Sequence, residues 1–419
     1  MRLKEIRRPG EKKARARTLL LLSGGLDSIL AGKILEEQGV EIVGLTFSSL
    51  FFGPREAIRA AEEQDWPLIV ADITEEEIEI VEHPRYGYGK NMNPCIDCHG
   101  QMVRIAVQLL ERYQADFVTT GEVLGERPKS QNRQSLDLVE KLGQAKRLVL
   151  RPLSAKLLPP TRAEEEGLVD REKLLDISGR SRKRQLELAA RYGIKNFPTP
   201  AGGCLLTDPG FSQRLKNLLN WRGKLLVEDI LLIKLGRLFF EEEAFFVIGR
   251  NEQENEKLRK RMLADDVVIH LADGLGPLTV LRFKKNPWKK EEEKAQTAGR
   301  VEHLVGNKTE EMIEEEQGGS QLSGGGPQEW RRPALEINGE INHLTKIKAW
   351  QAGGELIKAG DEGKGVFKAI LTQPAVRKAG LLTIRYSKAR LAEKARVVVS
   401  LNHMKEIVEF KKEEWEPYL

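Results

Sequence analysis

The stretch Leu19-Leu20-Leu21-Leu22-Ser23-Gly24-Gly25-Leu26-Asp27-Ser28, continued by Ile29-Leu30-Ala31-Gly32-Lys33-Ile34-Leu35, reads as a strand, a glycine loop and the start of a helix. The leucine run suits a buried strand. Gly24 and Gly25 let the backbone take φ > 0 and approach an anion closely. Successive N–H groups then converge on phosphate oxygens, and the helix N-terminus adds its partial positive charge. Ser23 and Ser28 can donate hydroxyls to the same oxygens. Asp27 can cap the helix or help to hold Mg²⁺. No Lys follows the glycines, so this is not the Walker A arrangement.

Working outward, short runs rich in Val, Ile and Leu recur at Leu19 to Leu22, Glu41 to Phe47, Leu68 to Ala71, Phe117 to Thr120 and Leu148 to Leu150. Helical patterns lie between them at Ile29 to Glu37, Arg55 to Gln64 and Met102 to Gln114. That alternation predicts an α/β fold: a doubly wound parallel, Rossmann-like sheet that binds ligands beyond the carboxyl ends of its strands. The glycine loop, Thr46 and Phe47 at the end of the second strand, and Gly121 and Glu122 after the fourth are therefore the candidate contacts for a phosphate-bearing ligand.

With 419 residues the chain should hold two or three domains. A basic leader (1–16) is expected to precede a nucleotide domain (17–215). Beyond it, 221–283 alternates strand-like runs with glycine turns, in Gly236-Arg237-Leu238-Phe239-Phe240 and Ala244-Phe245-Phe246-Val247-Ile248-Gly249-Arg250-Asn251. The charge-biased, Gly/Ser-rich stretch 284–333 reads as a disordered linker or insertion, and 334–419 regains apolar periodicity. The last two apolar parts predict a smaller α+β C-terminal domain.

Charged residues make up 31% of the chain, and no apolar run approaches the ~20 residues of a membrane span. The leucine run after the basic leader is too short for a signal-peptide core, so the cytoplasm is the expected compartment, with no membrane partner. Net charge is only +5, but positives gather in the leader and in Arg180-Ser181-Arg182-Lys183-Arg184. Arg180, Arg182, Lys183 and Arg184 are thus candidate RNA contacts, with ordinary solvated surface as the plainer reading.

The three cysteines are Cys95, Cys98 and Cys204, an odd number that argues against a disulfide framework in a reducing compartment. Cys95 and Cys98 form C-x-x-C in the polar turn Asn93-Pro94-Cys95-Ile96-Asp97-Cys98-His99, ahead of a helix whose N-terminus should lower thiol pKa. Cys204 follows Pro198-Thr199-Pro200-Ala201-Gly202-Gly203, a loop expected to expose it. Three thiolates can hold a tetrahedral metal or a cubane cluster with one position open, as a catalytic centre requires. A structural zinc would need a fourth ligand, for which His99 and, more weakly, His83 are available. Buried cysteines without chemistry are the remaining alternative.

The loop resembles the S-G-G-x-D-S phosphate loop of the PP-loop ATP pyrophosphatase superfamily, whose members release pyrophosphate from ATP and activate a carbonyl as its adenylate. Thr120-Gly121-Glu122-Val123-Leu124-Gly125-Glu126-Arg127-Pro128-Lys129-Ser130-Gln131 resembles the T-G-E-S-L-G-Q-x-x-S-Q element of the tRNA 4-thiouridine synthases, and Leu150-Arg151-Pro152-Leu153 looks like their L-R-P-L element. Cys204 falls about where their catalytic-domain cysteine lies. This resemblance covers roughly residues 17 to 215. The C-x-x-C is closer to tRNA thiolases that bind a 4Fe-4S cluster through three cysteines. Residues 221–283 resemble the small RNA-associated module at the end of NFACT-type proteins.

These resemblances imply an ATP-dependent tRNA sulfurtransferase. Its cofactors would be ATP, Mg²⁺ and a 4Fe-4S cluster on Cys95, Cys98 and Cys204, with zinc as the alternative metal. Asp27 and the three cysteines would be the catalytic residues. The implied partners are tRNA and a sulfur donor, either a cysteine desulfurase persulfide or free sulfide, and a homodimer is the assembly considered. An ATP-dependent ligase or amidotransferase with a zinc-bound cysteine site is the competing enzyme class, and an RNA-binding protein with a degenerate nucleotide fold is a third reading.

Overall fold

The computed structural model describes residues 1–198, 203–285, 367–401 and 404–418. The expected linker 284–333 lies outside them apart from its first two residues, as does the Thr199–Gly202 part of the loop before Cys204. The chain divides into two compact units, Met1–Leu238 and Phe239–Leu419.

The first unit is built on a six-stranded sheet of β1 (Arg2–Arg7), β2 (Arg17–Leu21), β3 (Glu41–Ser48), β4 (Leu68–Asp72), β5 (Phe117–Thr120) and β6 (Val149–Leu150) in the order β1-β4-β3-β2-β5-β6. β2 to β6 pair in parallel, as the alternation of runs and helical patterns predicts. The leader contributes β1, which pairs antiparallel with β4 from Arg2 opposite Asp72 onward. Only Leu3 of β1 packs on the core, and its basic neighbours stay in water. A charged strand of this kind closes an edge that would otherwise offer unpaired backbone groups.

Helices cover both faces. α1 (Leu26–Glu36), α2 (Arg55–Glu63), α3 (Thr74–Glu82), α4 (Cys95–Leu109) and α5 (Arg133–Leu142) alternate with the strands. Leu26, Ile29, Leu30 and Ile34 of α1 form one core layer with Leu20, Leu22 and Ala189. Val103, Ile105 and Ala106 of α4 join Val139 of α5, Leu19, Val43 and Val118 in the other. Leu19 and Leu20 thus face opposite layers, which is why the strand is apolar throughout.

Register places the working edge. Leu21 at the end of β2 stands beside Leu45 on one side and Thr120 on the other. The turns that leave β2 and β5 therefore emerge side by side.

A second sheet, in the second unit apart from Arg237 and Leu238, is made of β7 (Arg237–Phe240), β8 (Ala244–Ile248), β9 (Val267–Leu271), β10 (Thr279–Phe283), β11 (Lys394–Leu401) and β12 (Met404–Lys411) in the order β12-β11-β9-β10-β8-β7. The pairs β8–β10, β9–β10, β9–β11 and β11–β12 are antiparallel. The helix Pro374–Arg385 packs Val376, Ala379, Leu382 and Ile384 against Phe246, Ile269, Leu281 and Val397. This is the smaller α+β unit that the C-terminal patterning predicts. Among the described residues no helix is long and apolar enough to cross a membrane.

Candidate nucleotide and thiol site

The glycine loop turns out of β2 with Gly24 at φ +78, and Gly25 takes an extended conformation as the N-cap of α1. A Cβ on Gly24 would stand 2.6 Å from the backbone N of Ala57, so both its dihedral and its neighbours exclude a larger residue. No side chain caps α1, which leaves first-turn N–H groups for a ligand. Ser28 Oγ donates to Gly25 O at 2.8 Å, and Ser23 Oγ accepts from Gly25 N–H at 3.3 Å, so both hydroxyls line the loop.

Asp27 is pushed up in pKa by burial, an effect that the charges of Arg182 and Arg127 partly offset. Gln185, on the helix Lys183–Arg191, reaches the Asp27 carboxylate, and Nε of Arg182 is buried without a hydrogen-bond partner. Arg182 therefore stands over the glycine loop, apart in role from the exposed Arg180, Lys183 and Arg184. Arg184 pairs with Asp176 at 2.7 Å. Sequence reading missed Arg127 and Gln185, because nothing local marks a residue that meets the loop only in the folded chain.

Gly121 comes straight off β5 and lies against the start of α1, where a Cβ would meet Asp27 C and Ser28 Cα at 2.6 Å. The next residue, Glu122, is buried and bonded on every side. Thr120 Oγ1 and Arg151 Nε donate to its Oε2 at 3.1 and 3.0 Å, and His99 Nδ1 lies 3.2 Å from Oε1. Burial would raise its pKa, but Arg151 and His99 bring it down to about 2. Glu122 is thus an anchor that stays ionised and aims His99. Thr46 and Phe47 are both buried, and the Phe47 ring sits in the core with Leu19, Val43 and Ile69.

His99 leads to the thiols. Cys95 and Cys98 occupy the first turn of α4, and Asn93 Nδ2 donates to Cys95 Sγ at 3.1 Å. Asp97 pins the preceding loop by accepting from the N–H groups of Arg85 and Tyr86 at 3.2 and 3.0 Å. The Cys204 segment is tied to that loop, since Asn91 Nδ2 donates to Thr207 O at 2.6 Å. A third element brings Glu77 of α3, which is only 1% exposed.

Electrostatics show that these groups face one another. Cys98 is buried, and its thiol pKa is raised well above the ordinary value by burial, then by Glu77, Cys204 and Cys95. Cys204 is pushed up to about 12 by burial, with Glu77 and Cys95 adding to the rise. Glu77 itself is raised to about 7 by burial, against the opposing pull of a hydrogen bond with Cys98 and of the nearby His99. The expectation that the helix N-terminus lowers thiol pKa therefore fails for Cys98, because desolvation in an acidic pocket outweighs the dipole. Cys204 is partly buried where its loop suggested exposure.

Among the described residues no group of three or more His, Cys, Asp and Glu side chains is arranged to hold a metal ion. His99 is engaged with Glu122, and His83 is exposed at the end of α3. The donor types still suit a cubane, which spreads its cysteines over separate iron corners and so holds them farther apart than a lone zinc does.

Residues 14–156 match the family model described as thiamine biosynthesis protein (ThiI), and the match lies wholly in the first unit. A tRNA-specific 2-thiouridylase of Bacteroides fragilis is 31% identical over 117 residues, which are 26% of this chain and 32% of that protein. One from Sulfurimonas denitrificans is 33% identical over 123 residues, 26% of this chain and 35% of its own length. The chain therefore spans about a third of the length of the curated relatives it matches. A crystal structure of a 4-thiouridine synthetase–RNA complex with bound ATP is similar at 22% identity and a TM-score of 0.29, over 49% of this chain and 50% of that one.

Proposed function

We propose that this chain is an ATP-dependent RNA sulfurtransferase whose substrate is a tRNA uridine. The observation that carries this reading is the unbroken line from the glycine loop through Gly121, Glu122 and His99 to Cys98, Cys95 and Cys204. Three cysteines on this side of a nucleotide-binding fold suit sulfur transfer. The family-model match over residues 14–156 and the likeness to tRNA-specific 2-thiouridylases support the same reading.

The loop N–H groups, Ser23 and Ser28 hold the pyrophosphate end of ATP, and Asp27 faces the Mg²⁺ that accompanies it. A uracil carbonyl oxygen attacks the α-phosphorus, the bond to pyrophosphate breaks, and Arg182 and Arg127 offset the charge that gathers there. Hydrosulfide then adds to the activated carbon and gives up its proton. The carbon–oxygen bond breaks and AMP leaves, so no electron donor or acceptor is needed. A 4Fe-4S cluster on Cys95, Cys98 and Cys204, with one iron open, would supply a sulfide-binding centre at this position. The reacting base must leave its stack to enter, and Arg180, Lys183 and Arg184 form a basic rim for the RNA backbone.

The test is to purify the full chain without oxygen and incubate it with unmodified tRNA, ATP, Mg²⁺ and sulfide, then examine the nucleosides by mass spectrometry. Thiolated uridine should form in step with AMP and pyrophosphate. AMP formation with no sulfur in the RNA would overturn the sulfur chemistry and leave a ligase.

A further inference from the structure

We propose that the cleft between α5 and residues 155–164 is a binding site for a small organic anion, a phosphate or carboxylate carried on an apolar or aromatic body. It lies beside β6, and no residue of the glycine loop lines it.

The cleft has a volume of about 660 Å³, within the range of small-molecule pockets. Leu136, Val149, Leu150 and Leu158 supply apolar walls. Arg151 also lines it, although that side chain is almost wholly buried. Its Nε donates to Glu122 and its Nη1 to Glu140 at 2.5 Å, while Nη2 is buried with no hydrogen-bond partner. A guanidinium fixed at two corners leaves its third nitrogen as a preset donor, and an unpaired buried donor is costly to maintain without a ligand.

The remaining charges give the sign of that ligand. Each acidic group along the cleft already has a partner: Glu140 holds Arg151, Glu164 holds Arg171 and the Thr161 backbone, and Asp137 lies 3.5 Å from Arg133. Lys141 and Lys146, exposed on the lining, have no ion pair among the described residues. The charged groups without a partner are therefore all cationic, on a site whose walls are mostly aliphatic. An anion with an apolar body satisfies both, whereas inorganic phosphate would leave the walls unfilled.

The experiment titrates the full chain with 1-naphthyl phosphate, followed by its fluorescence anisotropy. Wild type should show saturable binding. Lys141→Ala with Lys146→Ala should weaken it by roughly tenfold, and Leu158→Trp, which fills the cleft from a half-exposed position, should abolish it. Asp27→Ala should leave it unchanged. Absence of saturable binding, or an affinity unmoved by both cleft variants, would overturn the proposal. Affinity lost in Asp27→Ala but kept in the cleft variants would place the probe in the glycine loop and overturn it equally.

Discussion

Gly121 presses its α-carbon against the first turn of α1, so that a Cβ there would stand 2.6 Å from the Cα of Ser28. The segment after β5 and the glycine loop are thus two walls in backbone contact, with no room for a side chain between them. Gly121→Ala must push the walls apart. It should cost roughly 1–3 kcal/mol of stability and weaken ATP binding at least as strongly, read by urea unfolding and calorimetric titration. Gly53→Ala is the control, since a Cβ there meets nothing within 4 Å. Equal effects from the two substitutions would refute the close-contact account.

The proposed function gives Asp27 and Ser28 the pyrophosphate end of ATP and its metal. Asp27→Ala and Ser28→Ala should each lower ATP–pyrophosphate exchange by roughly a hundredfold or more without loss of fold by circular dichroism. Arg182→Ala should lower the same rate, because its charge faces Asp27. Exchange within a few-fold of wild type would remove these residues from the reaction.

Replacing Cys95, Cys98 or Cys204 singly by Ala should abolish thiolation and the visible absorption of anaerobically purified protein while sparing ATP binding. Iron, zinc and sulfide analysis of the same samples distinguishes a cluster from a lone metal. Thiolation that survives Cys95→Ala and Cys98→Ala but not Cys204→Ala would leave Cys204 as a single sulfur carrier.

Glu77 predicts a pH effect in the metal-free protein. Its folded pKa, raised from 4.5 to about 7, means that burial favours the neutral form. Its stabilising contribution is complete below pH 4.5 and is lost as the pH rises through about 7. Glu77→Gln cannot ionise, so above that pH it should exceed wild type by up to roughly 3 kcal/mol and match it in acid. Thermal melts across that pH range give the answer, and a constant difference between the two proteins would refute it.

Lys183 and Arg184 open the helix Lys183–Arg191, Arg180 precedes it, and all three are exposed. Removing all three should weaken tRNA binding and flatten its salt dependence by roughly one unit of slope per lost phosphate contact. Affinity that is unchanged across salt concentrations would return them to ordinary surface.

The nucleotide half of the first unit is legible from the chain alone. Leu19 to Leu35 dictates strand, loop and helix because each depends on neighbours close in the chain, namely an apolar run, two glycines and a helical period. The parallel sheet followed from runs and helical patterns in alternation, and the C-x-x-C was visible as spacing. The leader was legible as charge but not as β1, since a strand with one apolar contact has no pattern until β4 offers it an edge.

Only the tertiary structure decided what surrounds the thiols and the loop. Glu77, Cys98 and Cys204 come from three separate stretches of chain, and a glutamate within the acidic run of α3 looks like any solvated residue until packing removes its water. The same holds for Arg182, which reads as one charge in a basic cluster yet faces Asp27, and for Arg151, whose open Nη2 exists only because Glu122 and Glu140 hold its other nitrogens. Local order follows from the chain's own neighbours. Desolvation and charge pairing depend on which distant residues the fold brings together, and they set the pKa values and open donors from which the chemistry is argued.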